Sequence, residues 1–186
     1  MKLSVKSRGA ERKSESRTIR REGDIPAVIY GKGMENRSVA VNGADFGAAL
    51  RHITKGHLPT TVFTLVGEDG KEMRAVVKDV QYHPTSYKIL HVDLEALQDD
   101  VAISVNVPIE CTGVAECSGI KLGGVLRTVI RRLRVKCLPK DMPAFFELDV
   151  RKLAMKGTKR LRDIALPANV QPLQDLNEVA VVIAKR

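Results

Sequence analysis

The sequence predicts a mainly β protein of two domains that meet near residue 95, the first spanning residues 1–94 and the second, all-β, residues 95–186. Three observations predict it. Hydrophobic residues make up 44% of the 186 residues, but aromatics only 4%, and Trp is absent. Cores must then be built from Val, Ile, Leu and Ala, a composition that favours strands. Several segments alternate apolar and polar residues with period two. The second half is a series of short runs punctuated by Pro139, Pro143, Pro167 and Pro172, the pattern of a β-sandwich or barrel-like domain.

Taken in order, KLSVKS (2–7) sets Leu3 and Val5 against Lys2, Ser4 and Lys6 and reads as a strand. RGAERKSESR is polar and reads as a loop. SRTIRREG holds one helical turn stopped by Gly23. IPAVIYG is a strand whose proline sits near its start, where a missing N–H does least harm. RSVAVNG is another, ending at Asn42-Gly43. ADFGAALRHITKG carries Phe46, Ala49, Leu50 and Ile53 at i, i+3, i+4 and i+7, an amphipathic helix ended by Gly56. TTVFTLVG and KEMRAVVKDVQYH flank an Asp-Gly turn and form a hairpin. HPTS breaks the run, and YKILHVDLEAL is the next strand. After the polar Gln98-Asp99-Asp100 come VAISVNVPIEC, the glycine-rich VAECSGIKLGGVL, RTVIRRLRVKCLP, FFELDVRKL, RLRDIAL and NEVAVVIAKR.

The formal net charge is +9. Lys2, Lys6, Arg8, Arg12, Lys13, Arg17, Arg20 and Arg21 face only Glu11 and Glu15 in the first 21 residues, so two-thirds of the excess lies in one-ninth of the chain. Such a balance attracts polyanions. A solvated basic arm is the competing reading. The arm's cations share no clean face opposite an apolar stripe, which disfavours a membrane-surface helix. No apolar stretch approaches the roughly 20 residues of a membrane span. Cys111, Cys117 and Cys137 lack metal or redox spacing and read as reduced cytosolic thiols.

Motifs for catalysis are missing. His52, His57, His83 and His91 form no HExxH and no zinc spacing with cysteine. YGKGMENRSVAVNG lacks the Lys-Ser/Thr pair of a phosphate loop and the third glycine of a dinucleotide fingerprint. There is no GxSxG. The expectation is a non-enzyme without metal, cofactor or small-molecule substrate.

Three groups invite a binding reading. In LHVDL, Leu90, Val92 and Leu94 point to the core, leaving His91 and Asp93 outward together. They could be surface polar residues, a recognition pair, an acid/base pair or a metal half-site. In VQYH, Val80 and Tyr82 alternate against Gln81 and His83. Gln81 donates and accepts at once, which suits a base edge. Tyr30 closes a strand before Gly31 and Gly33. Its ring could pack on ribose or base, or simply in a core.

RREGDIPAVIYGKG, then DVQYHP, then LHVDL resemble the bacterial ribosomal protein family that binds 5S ribosomal RNA, large-subunit protein twenty-five, in its two-domain general stress protein CTC type. GGVLRTVIRRLRVKCLPKDMPAFFELDVRKL and LRDIALP resemble that family's C-terminal domain. The resemblance implies an N-terminal β-barrel with one or two short helices that grips loop E of 5S RNA, a helix of non-Watson–Crick pairs. It implies RNA contacts by Arg8, Lys13, Ser16, Arg17, Arg20 and Arg21 of the arm. It implies base reading by Tyr30, Gln81, His91 and Asp93, the carboxylate accepting from a base amino group. The implied partners are 5S RNA, the large subunit and neighbouring ribosomal proteins, in a cytoplasmic, ribosome-associated setting. A stress-related adaptor acting through the C-terminal domain is the alternative. There Arg132, Arg134 and Lys136 share one face of a strand, either a second binding stripe or a solvated outer face.

Overall fold

The computed structural model describes residues 1–9 and 13–185. It divides into two compact units, Met1–Val101 and Ala102–Arg186. The first contains β1 (Lys2–Ser7), α1 (Lys13–Glu22), β2 (Ile25–Tyr30), β3 (Arg37–Val41), α2 (Gly43–His52), β4 (Val62–Val66), β5 (Glu72–Tyr82) and β6 (Ile89–Ala96). Its six strands close into a barrel in the order β1-β3-β2-β6-β5-β4. Antiparallel neighbours make most of the wall, and the parallel pairs β2–β6 and β1–β4 complete it.

The period-two pattern fills the interior. Leu3, Ala27, Ile29, Phe63, Leu65, Ala75, Val77, Val92 and Leu94 are buried in one core. Small and branched residues suit a barrel of this size, whose inside holds side chains and little else. Helix α2 adds Phe46, whose ring centroid lies 6.2 Å from that of Phe63. Asn42 starts this helix and does not belong to the strand before it: its Oδ1 accepts from the backbone N–H groups of Ala44 and Asp45 at 2.9 and 3.0 Å. The helix stops at His52, short of Gly56, because Ile53 turns extended to pack on the core. The Asp-Gly hairpin is present between β4 and β5, with Gly70 at φ +70.

Two differences from the sequence reading shape the site. The arm is a ten-residue helix from Lys13 to Glu22, where a loop and one turn were expected. Its only apolar residue is Ile19, so no apolar stripe announces it. Glu15 in its first turn and Arg20 and Arg21 in its last complement the helix dipole. Glu11 and Arg12 lie outside the described residues. The second difference is a pair of bulges in the β5–β6 ladder. Val77 faces Leu94 and Asp79 faces Asp93, so Lys78 is the extra residue; Gln81 faces His91 and Tyr82 faces Ile89, so Leu90 is the extra residue.

The second unit contains β7 (Ile103–Thr112), a one-turn helix α3 (Ser118–Lys121), β8 (Gly124–Thr128), β9 (Arg132–Cys137), β10 (Phe146–Asp149), β11 (Thr158–Arg160), β12 (Gln171–Pro172) and β13 (Val179–Lys185). These form a four-stranded sheet, β10-β7-β9-β12, and a three-stranded sheet, β11-β13-β8. On β9, Leu133, Val135 and Cys137 are buried while Arg132, Arg134 and Lys136 are exposed. Arg134 Nε donates to Ser104 Oγ on the neighbouring strand at 3.1 Å, so the stripe is partly knitted into its own sheet.

Candidate nucleic-acid interface

The two bulges bracket a short stretch of ladder. Between them Asp79 faces Asp93, Val80 faces Val92 and Gln81 faces His91. Directly opposed residues of an antiparallel pair point to the same side. Val92 is fully buried and Val80 packs on the core. Asp79, Gln81, His91 and Asp93 are therefore gathered on the outer face. A bulge turns the following side chains to the other face. Here one bulge creates the polar patch and the other ends it.

Within the patch His91 Nδ1 lies 2.7 Å from Asp93 Oδ1. A carboxylate can only accept, so Nδ1 carries the proton and, in the neutral ring, Nε2 is an acceptor. Asp93 thus fixes the ring's polarity and holds it in place. Gln81 beside it is exposed and offers one donor group and one acceptor.

Tyr30 lies on β2, next to β6, and pairs with Glu95 in the parallel register. Its hydroxyl titrates above the ordinary 10.0: burial raises it first, then the negative charges of Asp93, Glu95 and Asp79. The phenol is kept protonated and remains a donor. Glu95 is offset by Lys78, the bulge residue of β5, at 2.8 Å. Asp79 and Glu95 were missed by the sequence reading. Asp79 was legible, since it stands two residues before Gln81 in a strand.

The arm reaches this patch through Arg20. Its Nε and Nη2 both donate to the carbonyl oxygen of Leu90, at 3.1 and 2.9 Å. Leu90, expected in the core, is half-buried because it is the bulge residue. The other end of the arm is tied to β3. Arg8 Nε donates to Val39 O at 3.1 Å, and Nη1 to Ser16 Oγ at 3.4 Å. Helix α1 is thus held at β3 and at β6, the two neighbours of β2. Arg17 and Arg21, one turn apart, are exposed along with Arg20, whereas Arg8 and Ser16 are half-buried. Lys13 begins the helix. The structure brings Arg20, Tyr30, Gln81, His91 and Asp93 to one region of the barrel wall, and sets Arg8 and Ser16 at the far attachment of the arm. Tyr82, expected to alternate inward, is exposed beyond the second bulge.

Comparison with known proteins follows the same division. Residues 3–94 match the Ribosomal L25p family, and residues 102–186 match the family described as Ribosomal protein TL5, C-terminal domain. Large ribosomal subunit protein bL25 of Chlamydia muridarum (strain MoPn / Nigg) is 45% identical over 186 residues, covering all of both chains. The protein of that name from Chlamydia pneumoniae is 42% identical over the same span. The chain belongs to the ribosomal L25p family. Its members are structural, non-enzymatic proteins, and this L25p chain carries the family's two-domain form. Among the described residues no group of three or more His, Cys, Asp or Glu could hold a metal ion. No helix among them is long and apolar enough to cross a membrane.

Proposed function

We propose that this L25p chain is a structural constituent of the large ribosomal subunit that docks on loop E of 5S RNA through residues 1–94, with residues 95–186 forming a second domain free to meet neighbouring ribosomal proteins. The setting is the cytoplasmic ribosome. The observation that carries this reading is the segregation of charge on the barrel wall. Arg17, Arg20 and Arg21 are exposed on α1, while the bulge-bracketed patch beside them is rich in carboxylates.

A uniformly cationic surface would grip any polyanion. Carboxylates next to cations do something narrower. The arm attracts phosphates, and Asp79 and Asp93 repel them, so the backbone passes over α1 and base edges face the ladder. Carboxylates accept from exocyclic amino groups, glutamine pairs with either kind of edge, and a protonated tyrosine donates. In regular A-form RNA those edges are reached mainly through the wide minor groove, and irregular pairs present them best. The experiment is chemical footprinting of 5S RNA with and without the full chain. Protection confined to loop E supports the proposal; protection elsewhere, or none, overturns it.

A further inference from the structure

Residues 102–186 carry fifteen Lys and Arg against eight Asp and Glu, a net +7 of the chain's +9. In residues 1–101 sixteen face fourteen, because carboxylates elsewhere in the barrel unit offset the arm. The second unit is therefore the more cationic, and docking on loop E uses none of its charge. On β9 that charge takes an ordered form. Arg132, Arg134 and Lys136 are exposed at alternate positions, opposite the buried Leu133, Val135 and Cys137. Two residues of strand advance about 6.8 Å, so the three cations lie along a line about 14 Å long. Residues opposed across an antiparallel ladder share a side. Pro108 faces Arg132, Asn106 faces Arg134, and Lys136 has Ser104 on one side and Gln171 on the other. No carboxylate stands opposite the stripe. Glu110 and Glu147 face each other across the β7–β10 pair, with Asp149 further along β10. Among the described residues, the ion pairs of this unit are those of Arg151 with Glu116 and Asp149, and the stripe makes none.

Unlike charges set across a ladder stabilise a solvated sheet face, and like charges close together destabilise it. Here three like charges run down one strand with neutral partners on either side. Arg134 is also held in place. Its Nε donates to Ser104 Oγ at 3.1 Å and its backbone N–H to Gln174 Oε1 at 3.0 Å. We infer that Arg132, Arg134 and Lys136 form a second RNA-binding face, which takes the sugar–phosphate backbone of a regular helix. Cations strung along a line match phosphates strung along a strand. Ser104, Asn106 and Gln171 beside them offer donors and acceptors to phosphate oxygens and ribose hydroxyls. A single strand would call for stacking rings. The unit's two aromatics, Phe145 and Phe146, lie outside the stripe, and Phe146 is buried. A protein partner would call for an apolar core. The stripe supplies two exposed leucines, Leu138 past its end and Leu173 beside Arg134. The chain then holds two RNAs, one with each unit.

The test titrates the full chain with a fluorescently labelled blunt RNA duplex over a range of salt, with and without saturating loop E RNA. Arg132→Gln, Arg134→Gln and Lys136→Gln should each lower the slope of log affinity against log salt by roughly 0.7 to 0.9, and the triple variant by roughly 2 to 3. The loss should be the same whether or not loop E RNA is bound, and affinity for loop E RNA should stay at the wild-type value. Lys121→Gln/Lys152→Gln/Lys156→Gln removes three exposed cations outside the stripe and should leave the slope unchanged. Arg134→Lys keeps the charge and should keep the slope, even where loss of the Ser104 bond lowers the melting temperature. Polyglutamate at equal charge should displace the duplex far less well than unlabelled duplex does. Four results each overturn the second face while leaving loop E recognition standing. They are an unchanged slope in the stripe triple, an equal drop in the other triple, a loss that vanishes once loop E RNA is bound, and displacement by polyglutamate as effective as by duplex. The last would assign the stripe to an acidic protein.

Discussion

Arg20 donates two hydrogen bonds to the carbonyl oxygen of Leu90, the residue that bulges out of β6. Residue 90 is the immediate neighbour of His91, so one contact joins the cationic helix to the polar patch. A planar guanidinium can give two parallel N–H groups to one oxygen; an ammonium on a flexible stem cannot hold that geometry. Arg20 is therefore a strut as well as a charge.

The first prediction separates those roles. Arg20→Ala and Arg20→Lys should both speed amide hydrogen exchange in residues 13–22, since both lose the paired contact. Only Arg20→Ala should also flatten the salt dependence of RNA binding, by roughly 0.7 to 0.9 log units for one phosphate contact. Unchanged exchange in both variants would show that the strut does not hold the helix.

Arg17 and Arg21 are exposed on the helix and serve as the contrast. Arg17→Ala and Arg21→Ala should each reduce the salt slope by a similar 0.7 to 0.9 log units, with exchange in α1 unaltered. A weaker affinity at constant slope would argue against phosphate contact.

Asp93 holds His91 and its charge bears on Tyr30. Asp93→Ala should lower discrimination between loop E and a regular duplex about tenfold, the low end for a base-edge pair. Competition binding reads this directly. Equal losses on both RNAs would contradict base reading.

Tyr30 supplies a pH signature. Its folded value lies above the ordinary 10.0. As pH rises past 10.0 the unfolded chain releases the phenolic proton before the folded protein does, so the folded state loses stability in that window. Tyr30→Phe should show a shallower decline in melting temperature upward from pH 10. Asp93→Ala should bring the Tyr30 transition down, though not to 10.0, because burial is the larger cause; the ultraviolet difference between Asp93→Ala and Asp93→Ala/Tyr30→Phe measures it.

Helix α2 makes one substitution act in opposite directions. A Cβ on Gly43 would collide with the carbonyl oxygen of Gly23, at the junction of α1 and β2. A Cβ on Gly47 would meet nothing nearer than Arg51 Nη1 at 3.8 Å. Gly43→Ala should destabilise by roughly 1 to 3 kcal/mol, as overpacking does. Gly47→Ala, at a half-buried position in the helix interior with room for the Cβ, should stabilise by about 0.5 to 1 kcal/mol. Urea unfolding distinguishes them, and matching signs would refute the packing assigned here.

Local pattern was enough for most elements. Alternation in KLSVKS, IPAVIY and LHVDLEA, the Phe46–Ala49–Leu50–Ile53 spacing and the Asp-Gly turn are short-range signals, and each matches an element of the barrel. The alternation of RLRVKC likewise separates Leu133, Val135 and Cys137 from the exposed cations of β9. Helix α1 escaped because periodicity detects a buried stripe, and this helix is held by Arg8 and Arg20 reaching backbone carbonyls. Leu90 was set facing inward because alternation was carried through a bulge; Tyr82 keeps Val80's side of β5 but is exposed because the strand ends there.

What the amino-acid order determined by itself was the inventory: strands of Val, Ile, Leu and Ala, a basic leading segment, and outward polar residues two apart. Such features arise from neighbours along the chain, where side-chain period and turn chemistry act. What only the tertiary structure decided was which of them share a surface. The extra residues Lys78 and Leu90 exist only relative to a partner strand, and the parallel pairing of β2 with β6 brings Tyr30 beside Asp93 across more than sixty residues of sequence. Register between distant strands is set by closing the barrel around its core, a condition no short stretch of sequence contains.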